Sequence, residues 1–172
     1  MKDISIVIPL YNEEESLPEL GAWIDRVVSS MGKSYEVIYV DDGSNDSSWK
    51  VIESLVAENP DVVHAIKLRG NQGKSQALRA GFAATRGDVV FTMDADLQDP
   101  PHLLKDMYKA ILEEGYDSVG TRRVSRKGEP VIRSFFAKLF YKLINKMTPF
   151  EMVDGARDYF FMKRVVVDAI LS

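Results

Sequence analysis

Short apolar runs alternate with longer amphipathic stretches along most of the chain. Ile4-Ser5-Ile6-Val7-Ile8 is β-branched and predicts a strand stopped by Pro9. A helical period runs over residues 14–31. Residues 35–40 form a second apolar strand that ends in Asp41-Asp42-Gly43-Ser44. A helix is predicted over residues 47–58, with Asn45, Asp46 or Ser47 as its N-cap. Residues 62–68 predict a third strand, Gly70-Asn71-Gln72-Gly73 a turn, and residues 74–85 a helix. Val89-Val90-Phe91-Thr92-Met93, bounded by Gly87-Asp88 and Pro100-Pro101, predicts a buried strand. Residues 101–114 follow as a helix with proline in its first turn, then a short strand over 117–121 and a last helix over 164–171.

Strands alternating with helices of about a dozen residues imply βαβ units, and so an α/β domain over residues 1–172 with a mostly parallel sheet. Right-handed crossovers bring every βα turn to one edge. Tyr11-Asn12-Glu13, Asp41-Asp42 and Asp94-Ala95-Asp96 each follow a strand directly. They are therefore expected together on the carboxyl edge, where open α/β sheets bind ligands. Asp94 and Asp96 would repel each other unless a cation or a hydrogen-bonded ligand sat between them. With Gln98 as a third oxygen donor they suit Mg2+ or Mn2+, substrate phosphates completing the shell. A solvated acidic loop capping the next helix is the alternative.

Composition narrows the classes. The net charge of −4 argues against a general nucleic-acid binder, and the lack of cysteine removes disulfides and thiolate metal sites. No apolar run approaches the roughly 20 residues that span a bilayer. Glu13-Glu14-Glu15 comes too early for a secretory signal. The chain ends at Ser172, on the last predicted helix, so a chain trimmed at its C-terminus, without a membrane-anchoring part, is expected.

The common nucleotide motifs are absent. No Gly-x-Gly-x-x-Gly follows the first strand, which argues against a dinucleotide dehydrogenase. Gly73-Lys74-Ser75 resembles the end of a phosphate loop, but Leu68 stands where that loop needs glycine. Lys74 either meets a phosphate or base at a helix N-terminus or is a plain exposed lysine. Asp99 occupies the glycine position of a calcium loop, which removes that reading.

From residue 122 to 146 the charge inverts. Arg122, Arg123, Arg126, Lys127, Arg133, Lys138, Lys142 and Lys146 face Glu129 alone. Arginines after the fifth strand reach the same edge and suit bidentate contacts to an anionic second substrate, unless they are a solvated charge run. Apolar pairs recur every four residues from Val131 to Met147, with lysines locally opposite. That pattern fits contact with an anionic membrane surface or an ordinary core helix.

The ordered set Pro9-Leu10-Tyr11-Asn12-Glu13-Glu14, Val40-Asp41-Asp42-Gly43-Ser44, Asn71-Gln72-Gly73-Lys74 and Asp94-Ala95-Asp96-Leu97-Gln98-Asp99-Pro100-Pro101 resembles family 2 glycosyltransferases. Arg122-Arg123-x-x-Arg126-x-Gly128-Glu129 and Leu139-Phe140-Tyr141-Lys142-Leu143-Ile144-Asn145 look like the group of dolichyl-phosphate mannosyltransferases and bacterial polyprenyl-phosphate glucosyltransferases. The resemblance covers nearly the whole chain and implies a GT-A fold. It implies that Pro9, Tyr11, Glu13 and Asp42 hold the nucleoside, with Asn12, Asp41, Lys74 and Ala95 along the donor site. Asp94 and Asp96 would handle the ribose-diphosphate and metal, Gln98 would be a further metal ligand, and Arg122, Arg126 and Arg133 would meet phosphate. The implied reaction is an inverting transfer of a hexose from a UDP-glucose or GDP-mannose type donor to a polyprenyl phosphate at the cytoplasmic face of a membrane. Homo-oligomerisation is left open.

One stretch departs from the pattern: Phe160 in Asp158-Tyr159-Phe160-Phe161 stands at the group's arginine position, with Arg157 nearby. A hydroxyl acceptor would need Asp158 as general base, in a transferase making polysaccharide or glycolipid. A catalytically silent nucleotide-sugar-binding domain is the third reading.

Overall fold

The structure, a computed structural model, describes residues 2–98, 103–122 and 156–172, with backbone alone over 156–158. Tertiary contacts group the chain into two compact units, residues 1–119 with 159–172 and residues 120–158. The described elements are β1 (Lys2–Leu10), α1 (Leu17–Ser29), β2 (Tyr35–Asp41), α2 (Ser48–Glu58), β3 (Val63–Lys67), α3 (Lys74–Ala84), β4 (Gly87–Thr92), α4 (Leu103–Glu113), β5 (Ser118–Arg122), β6 (Ala156–Lys163) and α5 (Arg164–Leu171). The sheet runs β3-β2-β1-β4-β6-β5. The first four of these strands pair in parallel, and β6 runs antiparallel to β4.

The expected mixed α/β fold with a mostly parallel sheet is the one found. β1, β2 and β4 bury both faces, which is why they read as continuous apolar runs. Ile4, Ile6 and Ile8 join Leu20 and Ile24 of α1, Ile52 of α2 and Leu104 and Ile111 of α4 in one core. Val7, Ile38 and Val40 face the other way, onto Ala77 and Phe82 of α3 and Val167 of α5. At Gly81 of α3 a Cβ would come within 2.4 Å of Val7, so only glycine lets this helix lie so close to β1.

Two expectations are corrected. Pro9 does not stop β1, which continues to Leu10 with Pro9 opposite Val40. Successive residues of a strand direct their main-chain groups to opposite neighbours. Leu10 O accepts from Asp42 N–H on the β2 side, and Val7 O accepts from Met93 N–H on the β4 side. Pro9 shares the side of Val7, and the last β1–β4 pair is Val7 with Thr92. Its missing N–H thus faces the point where β4 has already diverged. The second correction is β6, a strand not anticipated, which lies between β4 and β5.

The opposite edge is locked by a buried network. Ser5 Oγ donates to Glu36 Oε1 (2.6 Å) and accepts from Gly87 N–H (2.8 Å), while Arg86 N–H donates to the same carboxylate (2.7 Å). These bonds hold the start of β4 against β1 and so set the register with which β4 reaches the far edge.

Candidate active site at the carboxyl edge

Strand order reverses at β1, since β2 and β3 lie to one side of it and β4 to the other. Connections leaving such a switch point diverge and open a crevice outside the strand ends. A cleft of about 230 Å³ lies there, walled by Pro9, Tyr11, Asp42, Gly73, Lys74 and Asp94 among others. Four βα connections contribute to it. A second hollow of about 330 Å³ takes Asn12, Glu13 and Asp96, with Glu14 and Asp46. Asp94 and Asp96 therefore open to different hollows, with Ala95 buried between them.

The two acids at the end of β2 do local structural work. Asp42 Oδ1 accepts from Gln72 N–H (2.7 Å) and its Oδ2 from Gly73 N–H (2.8 Å). This ties the turn before α3 to the cleft wall. Each carboxylate oxygen keeps a further lone pair, so Asp42 remains an acceptor for a nucleoside. Asp41 is fully buried and takes Ser44 N–H on Oδ1 (2.8 Å).

The loops after β1 and β2 are clasped together by bonds that sequence reading missed. Asn12 N–H donates to Ser44 Oγ (2.9 Å), Glu13 N–H to Ser48 Oγ (2.8 Å), and Asn45 N–H to Asn12 Oδ1 (2.8 Å). Asn45 Nδ2 donates to the hydroxyl of the exposed Tyr11 (3.0 Å), fixing that ring at the cleft mouth. Asn12 makes this possible by adopting φ 58°, a conformation asparagine tolerates better than most residues. The available signal was the cluster of short polar residues at 44–48, whose side chains bond readily to backbone. Three of them, Asn45, Asp46 and Ser47, are the candidate caps for α2. Ser47 holds the N-cap position without a side-chain cap bond.

Asp46 belongs to the clasp, accepting from Ser48 N–H (3.0 Å) and Glu14 N–H (3.3 Å). Desolvation pushes its carboxyl upward, but the hydrogen bonds from Ser48 and Glu14 outweigh it and hold the carboxyl below its usual value of 3.8. A carboxyl depressed in the folded state adds stability above its unfolded pKa and loses it as pH falls through the folded value. The contribution is therefore complete at neutral pH and declines below about pH 5. Asp46→Asn is expected to flatten part of the acid limb of a melting-temperature profile between pH 6 and 3. An acid limb identical to wild type would show that the clasp does not depend on the charge.

α3 starts at Lys74, directly after Gly73, whose φ of 89° suits glycine. The Lys74 ammonium pairs with the Asp94 carboxylate, both groups being a little over one-third exposed. Beyond Asp94 the chain turns through Leu97 at φ 57°, and Asp96 Oδ1 accepts from Gln98 N–H (3.1 Å). Asp96 and Gln98 are exposed. Arg122 is the exposed last residue of β5 and Asp158 lies in β6, both in the unit of residues 120–158. Arg126, Arg133 and the basic apolar stretch fall outside the described residues. No helix among the described residues is long and apolar enough to cross a membrane.

The family profile for glycosyl transferase family 2 matches residues 5–171. This chain belongs to that family. The undecaprenyl-phosphate 4-deoxy-4-formamido-L-arabinose transferase of Shewanella sediminis is 45% identical over 98% of this chain and 50% of its own length. The chain thus spans about half the length of the curated relatives it matches. Among solved structures, glucosyl-3-phosphoglycerate synthase from Mycobacterium tuberculosis, crystallised with Mn2+, UDP and glucosyl-3-phosphoglycerate, aligns with TM-score 0.62 and 26% identity over 96% of this chain and 58% of that one. Mannosyl-3-phosphoglycerate synthase from Rubrobacter xylanophilus shares the fold at TM-score 0.73 and 21% identity, over 96% of this chain and 55% of that one. The GT-A fold implied by the sequence motifs is the fold of these neighbours.

In this family 2 domain the donors offered to a metal are few. Among the described residues no group of three or more His, Cys, Asp or Glu stands close enough to hold an ion by itself. Asp94, Asp96 and Gln98 supply hard oxygens only, and Asp94 has already drawn a cation, Lys74, to its carboxylate. Magnesium-type ions are commonly held by one or two carboxylates plus substrate phosphates. The donor set fits an ion whose shell a diphosphate completes.

Proposed function

We propose that this family 2 domain transfers a hexose from a nucleoside diphosphate sugar to a polyprenyl phosphate, with inversion at the anomeric carbon, at the cytoplasmic face of a membrane. The observation that carries the reading is the convergence of Pro9, Tyr11, Asp42, Lys74 and Asp94 on one cleft at the β1–β4 switch point. The relative named for an undecaprenyl-phosphate sugar transfer supports the acceptor class, and the neighbour crystallised with Mn2+ and UDP supports the donor.

Pro9, Tyr11, Asn12, Glu13 and Asp42 hold the nucleoside, the clasp around Asn45 keeping Tyr11 in place for stacking. Asp41 braces the loop that carries Asp42, and Ala95 spaces the two metal-side carboxylates. Asp94, Asp96 and Gln98 would hold Mg2+ or Mn2+, which would supply positive charge against that growing on the departing diphosphate. The acceptor phosphate has its second pKa near 6 and is already a nucleophile at neutral pH. Its oxygen bonds to the anomeric carbon as the bond to the donor β-phosphate breaks and the electron pair leaves with the diphosphate. No strong base is needed for that step. Placement of the acceptor dominates, and Arg122, Arg126 and Arg133 supply it through charge-assisted phosphate contacts.

The test offers radiolabelled UDP- and GDP-hexoses, with Mn2+, to undecaprenyl phosphate and separately to a glycolipid hydroxyl acceptor. Label is expected in the lipid phosphate product. Label in the hydroxyl acceptor alone would assign Asp158 a base role and overturn the acceptor class; no transfer despite nucleotide binding would favour a silent binding domain. Arg122→Ala is expected to lower transfer to the lipid phosphate at least 100-fold while leaving the melting temperature unchanged, as Arg122 is exposed at a strand end. Wild-type turnover in that variant would remove it from the site.

A further inference from the structure

Lys74 occupies a defined place. Its main chain is anchored by the two bonds from Gln72 and Gly73 to Asp42 and by the close seat of α3 on Val7. From there its four-carbon stem lays the ammonium on Asp94, in the cleft assigned to the donor. One carboxylate cannot hold an ammonium and a divalent ion at the same point, because the two cations repel at contact distance. A metal taking the Asp94 oxygen that Lys74 occupies, Oδ1, must therefore move Lys74 aside. A diphosphate entering the same cleft offers the displaced ammonium an anion.

We infer that Lys74 is a displaceable counter-cation, which neutralises Asp94 in the free protein and exchanges onto the donor's diphosphate when the divalent ion takes the carboxylate. The inference rests on the proposed reading of Asp94 as a metal-side residue and deepens it. Its consequence is coupling: metal alone binds poorly, diphosphate alone binds poorly, and each raises the affinity of the other by the same factor. The free site is thereby kept from loading metal without donor.

Isothermal titration of Mn2+ into the chain tests this, alone and with saturating UDP or GDP, in wild type, Lys74→Gln and Lys74→Arg. In wild type the nucleotide is expected to raise Mn2+ affinity at least tenfold. Lys74→Gln is expected to bind Mn2+ alone about tenfold more tightly than wild type and to gain less from nucleotide than wild type does, the remaining gain being the direct contact of ion and diphosphate. Lys74→Arg, which keeps the charge, is expected to follow wild type. Unchanged or weaker binding of Mn2+ alone by Lys74→Gln, with wild type still binding Mn2+ beside nucleotide, overturns the exchange and leaves the metal reading standing. Absence of Mn2+ binding in wild type and variants under every condition overturns both. Melting curves for the variants verify the fold, and Lys74→Met repeats the charge deletion with the aliphatic stem retained.

Discussion

Asp96→Asn is expected to abolish the extra thermal stabilisation that Mn2+ adds to bound nucleoside diphosphate, and to cut sugar transfer by roughly 10²–10³-fold, the scale of losing one well-placed charge stabiliser. The substitution is unusually clean. Asp96 is exposed, and among the described residues it accepts Gln98 N–H on Oδ1. Asparagine keeps an oxygen for that bond and nearly the same shape, so the turn through Leu97 is retained while the negative charge is lost. The melting temperature of the free variant should match wild type. The difference should emerge only when Mn2+ is added to UDP or GDP. An unchanged Mn2+-dependent shift would remove Asp96 from the metal side and confine that role to Asp94. The two carboxylates face different hollows, so the paired variant Asp94→Asn need not behave alike. It also removes the carboxylate that competes with a diphosphate for Lys74, and nucleotide alone should then bind more tightly than to wild type.

The parallel half of the sheet was legible because its strands are buried on both faces. β1, β2 and β4 consist of apolar runs with no competing helical period, and each ends in polar residues that the topology delivers to one edge. β6 was not legible for a related reason. Tyr159 and Phe161 enter one core and Met162 the other, so the apolar part of β6 is a run of four residues, 159–162, without alternation and flanked by the charged Arg157, Asp158 and Lys163. Its antiparallel place beside β4 depends on partners about 70 residues away in the chain. Pro9 misled because a proline stops a central strand only where its N–H is required, and the need depends on where β4 diverges. At the site, the residue types were readable but their division of labour was not. That Asp42 spends both oxygens on the turn before α3, and that Asn45 holds Tyr11, follows from loops 30 or more residues apart lying side by side.

Gly43→Ala is the substitution expected to do most damage to that arrangement. Gly43 follows Asp42 with φ +78°, so a side chain there is strained before any contact is counted. A Cβ at this position would stand 2.6 Å from Gly70 C and Cα and 2.8 Å from Asn71 N. These are main-chain atoms, and they cannot simply withdraw, because the same turn is tied to Asp42 at Gln72 and Gly73. Backbone strain of about 1 kcal/mol and overpacking of about 1–3 kcal/mol together predict a loss of roughly 2–4 kcal/mol. For a chain of this size that lowers the melting temperature by roughly 5–15 °C. Gly115→Ala is the internal control: its φ is +80°, but no atom lies within 4 Å of the added Cβ, so it carries the backbone term alone. The excess of Gly43→Ala over Gly115→Ala measures the contact between the two loops. Nucleotide affinity should fall as well in Gly43→Ala, because pushing residues 70–71 outward carries Lys74 away from Asp94 and opens the cleft wall. Equal melting temperatures for the two variants would mean that the loops after β2 and β3 do not touch, and that Asp42 does not set the position of Lys74.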